Sequence, residues 1–479
     1  MAQAKKLILD VNESPKRIRD WFALSIQHIL AMFVACITVP LLVFGQYTTG
    51  SGENLASAMI APALVSAGIG TIFYLFVTKM KSPVFLASSF AYIAPISAAL
   101  AIGANGTTPN LWALPIGMTM VGLVYVIVAI FIKIFGVKWL LRLLPPIVVG
   151  PVIIVIGLSL AASAVNNLAG TAAGPEGYNL ISILCGLTAM IATALCAHYG
   201  RSRLSLIPFI VGALAGYLVA VAFTVFGWYI GGNEYFRVID FTPLVDNFTN
   251  LSFRSFFDFP QFLVVTQNSV PFDWSTIGMV ALLFVPVSLV TICEHIGDHE
   301  NLSSIPEREL LTDPGLSRTL VGDGIATTIS GFLSGIANTT YGENVAVVGV
   351  TRVASTKVIL TAAIGSILIA FVKPIVCFIM TFPTCITGGI SLILYGFIAA
   401  SGVKTLMAAK TDFSNTKNIF VASAILVTGI GGLSLMFGNP LDPSITVTSV
   451  AISMLIGVFM NLILKDKKKQ SEETEAEDK

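Results

Sequence analysis

Asn338-Thr339-Thr340-Tyr341-Gly342-Glu343-Asn344, followed by Val345-Ala346-Val347-Val348-Gly349-Val350-Thr351-Arg352, is the stretch on which the reading of the chain turns. A carboxylate, Glu343, stands beside a glycine and hydrogen-bonding side chains, between apolar runs long enough to enter a bilayer. About seven residues, 345–351, separate Glu343 from Arg352, whereas a full helical crossing needs roughly 20. A complete helix does not fit after Glu343. If the chain crosses there, part of the crossing is irregular backbone at membrane depth, tolerated only when buried in protein or lining a cavity. Transport sites are built that way, so the stretch is read as holding a small polar solute halfway across a membrane.

The composition supports a membrane setting. Of 479 residues, 11% are charged and 55% hydrophobic, with a mean hydropathy of +0.86, where a soluble domain carries about a quarter charged residues. The expected class is an all-α polytopic membrane protein whose partners are the lipid bilayer and a small molecule, with no nucleic acid. Residues 1–20 are polar and the first apolar run, 21–44, is long enough to span, so it is expected to remain as the first helix. Cys36, Cys185, Cys196, Cys293, Cys377 and Cys385 are scattered without a Cys-x-x-Cys, and are read as reduced residues within helices. No metal-ligand cluster, nucleophile with base or phosphate loop stands out, so neither an enzyme nor a cofactor is expected.

The basic residues order the crossings. Lys5, Lys6, Lys16, Arg17 and Arg19 place the N-terminal arm in the cytoplasm by the positive-inside rule. Connections without Lys or Arg, at 46–53 and 103–110, alternate with connections carrying Lys79 and Lys81, then Lys133, Lys138 and Arg142. An outer loop whose only charge is Glu176 precedes Arg201 and Arg203. Residues 227–275 form one long connection, outside by parity, in which Trp228, Phe256, Phe257 and Trp274 suit short interfacial helices. The second half passes a connection with Glu307, Arg308, Glu309 and Arg318, makes the focal stretch its third crossing, and turns inward at Arg352 and Lys357. Lys404, Lys410 and Lys417 follow crossing 12, residues 465–479 form a cytoplasmic tail, and Lys373 alone stands against the count.

About fourteen crossings result, in two halves of about seven. An odd number per half starts the halves on opposite sides of the membrane, so a structural repeat between them is inverted. The third crossing of the first half, 83–102, contains Ala87-Ser88-Ser89-Phe90 and then Pro95, expected to break it as the focal stretch breaks its counterpart. Interrupted segments at matching places point to a transporter site. Each is expected to be a short extended piece followed by a half-helix. Helix N-termini near the midplane would then offer free N–H groups and partial positive charge to a ligand.

Further candidates lie in Cys293-Glu294-His295-Ile296-Gly297-Asp298, late in the eighth crossing. Glu294 and Asp298 share a helical face about 6 Å apart. Three readings stand open: a helix emerging into the cytosol, an ion pair with Arg352, or an acid pair facing the cavity, since intramembrane acids are functional by default. Gln27 and His28 in the first helix offer either an interhelical hydrogen bond or support for the site. Tyr395 taken alone reads as packing.

In combination Gln27-His28, Ser88-Ser89-Phe90, Glu294 to Asp298, Asn338 to Asn344 and Thr351-Arg352 resemble the nucleobase-ascorbate transporter family, most closely its bacterial uracil permease branch. The likeness covers nearly all of residues 20–465. It implies a proton-coupled uracil importer working by alternating access in the bacterial inner membrane, with both termini cytoplasmic and the proton gradient as driving force. It also implies a core domain, 21–142 (segments 1–4) and 276–379 (segments 8–11), and a gate domain, 143–226 (segments 5–7) and 380–464 (segments 12–14), with a homodimer formed through the gate. Carried over residue by residue, Glu294 and Glu343 bind the base, while the backbone at Phe90 and Gly342 donates to its carbonyl oxygens. Ala35 and Tyr341 pack on the ring, and Ser391 and Tyr395 approach from the gate. Asp298, Glu294 and His28 are the candidates for proton coupling; Gln27, Ser89, Asn344 and Thr351 support the site.

Two positions depart from the family pattern. Asp298 stands where the uracil permeases have His, as in some purine-transporting relatives, and Ala346 stands where the family usually has Gly. The alternatives are a xanthine or purine symporter of the same fold and an anion transporter of related architecture, which would place a basic residue at the half-helix instead of Glu343. Chemistry agrees with the resemblance: neutral uracil offers two N–H donors and two C=O acceptors, which two carboxylates and two half-helix N-termini complement group for group.

The topology is open to test. Single cysteines in a cysteine-free background, probed in intact cells with an impermeant thiol reagent, are expected to label within 227–275 and to stay unlabelled at 305–310. Labelling of 305–310 from outside would contradict the inverted arrangement.

Overall fold

Apolar runs without charges become helices because lipid offers no partner for backbone N–H and C=O groups, and a helix satisfies them within one segment. A computed structural model describes residues 7–49, 54–104, 108–169, 179–200, 204–230, 232, 234–266, 272–303, 305, 308–439 and 442–464. The first half comprises α1 (Ile18–Phe44), α2 (Leu55–Val77), β1 (Leu86–Ser88), α3 (Ile93–Leu100), α4 (Ala113–Phe135), α5 (Lys138–Leu143), α6 (Pro146–Ser159), α7 (Ala161–Ala169), α8 (Leu180–Tyr199) and α9 (Pro208–Ile230). After α10 (Thr242–Thr249) and α11 (Leu263–Thr266) come α12 (Ser275–Ser303), α13 (Leu316–Phe332), β2 (Asn338–Thr340), α14 (Gly342–Thr351), α15 (Thr356–Ala370), α16 (Lys373–Met380), α17 (Thr384–Ala408) and α18 (Thr416–Ile430). The strands β3 (Leu435–Asn439) and β4 (Asp442–Val447) then precede α19 (Ser449–Ile463).

Among the described residues eight helical spans are long and apolar enough to cross a membrane: α1, α2, α4, Pro146–Ala169, α8, Pro208–Gly227, Thr276–Ser303 and α17. Shorter apolar helices occupy Phe90–Leu100, α15, α18 and α19. The chain is a mostly helical, multi-pass membrane protein. In one group α13 packs on α4 and α2, and α15 on α2 and α1; in another α17 packs on α6, α7 and α8, α8 on α9, and α18 on α19 and α6.

The two expected extended pieces exist, and they pair with each other. β1 and β2 run antiparallel in the register Leu86 with Thr340, Ala87 with Thr339 and Ser88 with Asn338. The ladder continues at both ends, where Ser89 N donates to the Ala337 carbonyl at 2.8 Å and Tyr341 N to the Phe85 carbonyl at 3.1 Å. Ser, Thr and Asn favour this conformation because their side chains compete for helical backbone bonds. Neighbouring helices satisfy the remaining groups. Thr71 Oγ1 on α2 donates to the Leu86 carbonyl at 3.1 Å and accepts from Leu86 N at 2.9 Å, and Thr327 Oγ1 on α13 donates to the Asn338 carbonyl at 2.9 Å. Asn338 Nδ2 donates to the Ser66 carbonyl at 3.2 Å, reaching it across Gly70, where a Cβ would overlap the amide.

Pro95 does not break its segment. It lies in the first turn of α3, where a missing N–H costs little because that group has no intrahelical partner. The interruption comes earlier, at β1 and the 3₁₀ turn Phe90–Tyr92. The β3–β4 hairpin was not foreseen. Within 227–275 the expected short helices are present as α10, α11 and two 3₁₀ turns. Lys373, against the charge count, meets Asp258 of that connection at 3.4 Å, beside a bridge between Phe257 and Val372. Lys5, Lys6, Glu53, Glu176, Arg201, Arg203, Glu307 and the 465–479 tail lie outside the described residues.

Thr71→Val keeps the shape of the side chain and removes both bonds to Leu86. Leaving two buried backbone groups unpartnered is expected to lower stability by roughly 1–3 kcal/mol for each group left unmet. A fall in the thermal transition of the purified protein checks this; a transition unchanged from the parent would show that the clamp is dispensable.

Candidate functional site

β2 runs directly into α14, and the join is set by Tyr341, whose backbone is extended (φ −106°, ψ 106°) with no side-chain cap. Gly342 and Glu343 therefore head the helix, where N–H groups lack intrahelical partners and a carboxylate interacts favourably with the helix dipole. Gly342 and Ala346 are exposed and Glu343 is half-buried, so this side of α14 is not covered by neighbouring elements. At the other junction Ser89 is extended without a side-chain cap, and Phe90 begins the turn into α3. Because the strands are antiparallel, the two junctions stand at opposite ends of one short ladder, Ser89 beside Ala337 and Tyr341 beside Phe85.

α12 supplies the other carboxylates. The helix continues through Ser303, beyond both Glu294 and Asp298, and both side chains are half-buried. Thr340 Oγ1 donates to Asp298 Oδ2 at 2.5 Å, and Asp298 Oδ1 lies 3.9 Å from where a Cβ on Gly342 would be. Glu294 stands one helical turn before Asp298 on the same face of α12. Asp298 and Glu343 thus meet at the β2–α14 join, with Glu294 the next acid along α12. Arg352, the alternative partner, caps α14 in a left-handed conformation (φ 55°) and forms no ion pair among the described residues.

The opposite side of α12 holds a cluster that the sequence reading did not single out. His295 Nδ1 pairs with Asp323 Oδ2 of α13 at 2.8 Å, with both side chains fully buried, and His295 Nε2 meets Thr319 Oγ1 at 3.0 Å. His299 stacks on His295 with ring centroids 4.2 Å apart, donates from Nδ1 to the His295 carbonyl at 2.8 Å and meets the Tyr74 hydroxyl through Nε2 at 2.7 Å. Two signals were available: a His pair at helical i, i+4 spacing and a lone acid, Asp323, in an apolar run.

The remaining candidates sit around the junctions. Asn344 Nδ2 donates to His28 Nδ1 at 3.2 Å and to the His28 carbonyl at 3.1 Å, tying α14 to α1. Tyr341 is buried, and its hydroxyl donates to the Ser88 carbonyl at 3.1 Å, bridging the two strands. Ala35 is fully buried on α1. Phe90 faces Tyr395 of α17 edge-on, with ring centroids 6.0 Å apart. The Oε1 of Gln27, Oγ of Ser89 and Oδ1 of Asn344 are buried without a protein partner, each a group that asks for an explanation; Ser391 and Tyr395 are buried on α17. Thr351 points away from this set; its Oγ1 donates to the Val347 carbonyl at 2.7 Å and accepts from Val353 N at 3.3 Å, finishing the helix end.

A family model described as "Permease family" matches residues 19–438. The chain is 40% identical to a uracil permease of Bacillus caldolyticus over 98% of its length and 97% of the relative's. It is 36% identical to a uracil permease of Bacillus subtilis (strain 168), with 98% of each covered. A uracil permease of Escherichia coli (strain K12) is 33% identical over 95% of this chain and 94% of its own. Among solved structures, the transmembrane domain of a cyanobacterium bicarbonate transporter, BicA, superposes with a TM-score of 0.52 at 14% identity, covering 94% of this chain and 99% of that one. The murine Solute Carrier 26 family member A9 anion transporter in the inward-facing state gives a TM-score of 0.57 at 11% identity, over 94% and 69%. At those identities the likeness concerns the fold alone.

Proposed function

The chain belongs to the nucleobase-ascorbate transporter family of permeases, and on that premise we propose that it imports uracil by proton symport through alternating access. It is a permease and not an enzyme. The observation that carries the reading is the meeting of Asp298 and Glu343 at the join between β2 and α14, with Glu294 one helical turn away on the same face of α12. Uracil offers donors at N1 and N3 and acceptors at O2 and O4. Glu294 and Glu343 accept from the ring N–H groups, and the backbone N–H groups at Phe90 and Gly342 donate to the carbonyl oxygens. Ala35 and Tyr341 bound the ring, and Ser391 and Tyr395 close on it from α17.

The proton is carried by the acids beside the substrate. Two carboxylates near each other in low dielectric do not both ionise cheaply, so their proton count and the occupant of the site are coupled. Asp298 carries this role, with Glu294 as its partner and His28 as the remaining candidate; Gln27, Ser89 and Asn344 hold the surroundings, while Thr351 finishes the far end of α14. The strand-then-half-helix order repeated at β1–α3 and β2–α14, in antiparallel strands, supports an inverted repeat of about fourteen crossings. In this account residues 21–142 and 276–379 form the core that carries the site, residues 143–226 and 380–464 form the gate, and two copies associate through the gate. The proposed setting is the bacterial inner membrane, with both termini cytoplasmic, no cofactor and no nucleic-acid partner.

Uptake of labelled uracil and xanthine into cells lacking their own base transporters, with and without an uncoupler, tests this. The expected result is uracil accumulation that the uncoupler abolishes, and an Asp298→Asn protein that still binds uracil but no longer accumulates it under a pH gradient. Accumulation of xanthine in preference to uracil would contradict the substrate. Accumulation by Asp298→Asn equal to the parent's would move the proton to Glu294 or His28.

A further inference from the structure

Residues 7–14 are not a free arm. Ile8 N and Leu9 N donate to the Arg352 carbonyl at 2.9 and 3.4 Å, Ala354 N donates to the Leu9 carbonyl at 2.9 Å, and Thr356 N to the Val11 carbonyl at 3.0 Å. Leu9 and Val353 form a parallel bridge. Side chains extend the seam: Thr356 Oγ1 donates to the Val11 carbonyl at 2.9 Å, Ser355 Oγ to the Glu13 carbonyl at 2.6 Å, and Lys357 Nζ to Ser14 Oγ at 3.0 Å. The seam begins where α14 ends. Arg352 takes its left-handed turn there (φ 55°), a conformation that costs a non-glycine residue about 1 kcal/mol or more and persists where the surroundings over-determine it.

The same segment grips the end of α12. Asp10 pairs with Arg308 at 2.5 Å. Val11 is fully buried in a small second core with Leu302 of α12, Leu310 after it, Val345 and Val348 of α14, and Leu86 of β1. Leu302 follows Asp298 at one helical turn, and Val345 lies two positions after Glu343. Val11 therefore shares one buried core with residues of both helices that carry the site acids.

We propose that residues 7–14 form a strap that fixes the separation of α12 from α14 and so the spacing of Glu294 and Asp298 from Glu343, with Asp10 and Val11 as positioning residues for substrate. The proposal rests on the uracil reading only for its binding readout. A rigid strap preorganises the acids, and loosening it lowers affinity at every folded site. A strap that only stabilises the fold would lower the number of folded sites and leave the affinity of each unchanged.

The test uses the purified full chain and four variants: Val11→Asp, Asp10→Arg, Arg308→Asp and the double exchange Asp10→Arg with Arg308→Asp. Equilibrium uracil binding is measured per monodisperse site. Spin labels at Asn301→Cys and Val350→Cys, in a background whose native cysteines are replaced, report the separation of the helix ends without any ligand. The expected result is a rise in Kd of about tenfold for Val11→Asp and about fivefold for each single charge reversal, a broadened label distance in all three, and return to within about twofold of the parent in the double exchange. If Val11→Asp fails to fold, the charge reversals and their rescue decide. Kd and label distance unchanged in the folded single variants, or no rescue in the double exchange, would overturn the strap. If the parent binds no uracil, the uracil reading fails while the label distances still decide: broadening reversed by the exchange supports the strap, and an unchanged distance overturns it.

Discussion

Backbone that leaves the helix inside a membrane must find every hydrogen bond within the protein, and the rest of this structure follows from how that demand is met. β1 and β2 meet it by pairing with each other. Outer groups of the strands are taken up by Thr71 and Thr327 from the flanking helices, and the Asn338 side chain ties β2 to the Ser66 carbonyl of α2 across Gly70. Because the two interruptions satisfy each other in antiparallel fashion, the helical turns that follow them leave from the two ends of one short ladder. The backbone problem is thus solved once for both segments, and a helix head with free N–H groups follows each end of the ladder.

α12 works as a divider between two polar environments. One side presents Glu294 and Asp298, half-buried, to the β2–α14 join, and Thr340 holds Asp298 there. The other side presents His295 and His299 to Asp323 and Tyr74, fully enclosed. The enclosed groups are nearly all paired, with only Asp323 Oδ1 unpartnered, and their bonds fix the rotation of α12 about its axis. That rotation is what aims the acids. A polar network satisfied in this way specifies one arrangement of helices, where an apolar contact would tolerate several.

Much of this was legible in the sequence and some was not, for physical reasons. The interruption at Glu343 could be read because too few residues remain before Arg352 to complete a crossing, a constraint set by length alone. The extended pieces were expected from interrupted crossings at matching places in the two halves. Pro95 misled, because a proline in a first helical turn and one that breaks a helix look alike until the helix start is known. The His295–Asp323 pair was missed although both residues lie in apolar runs, since pairing across two helices depends on their packing. The seam between residues 7–14 and 352–357 was out of reach, being made mainly of main-chain bonds that no side-chain pattern announces. Lys373 stood against the charge count until the structure paired it with Asp258.

The central claim is that a carboxylate at the head of α14 selects a ring edge that donates hydrogen. Equilibrium binding of uracil, cytosine and xanthine to the purified protein and to Glu343→Gln tests it most directly. The account predicts uracil as the tightest ligand, with cytosine weak because its N3 lacks the hydrogen and its amine would face a helix-head donor. It predicts a loss of more than about tenfold for uracil in Glu343→Gln, since one charge-assisted bond contributes about 1.5 to 3 kcal/mol. Xanthine binding more tightly than uracil, or a Glu343→Gln protein that binds uracil as well as the parent, would contradict it.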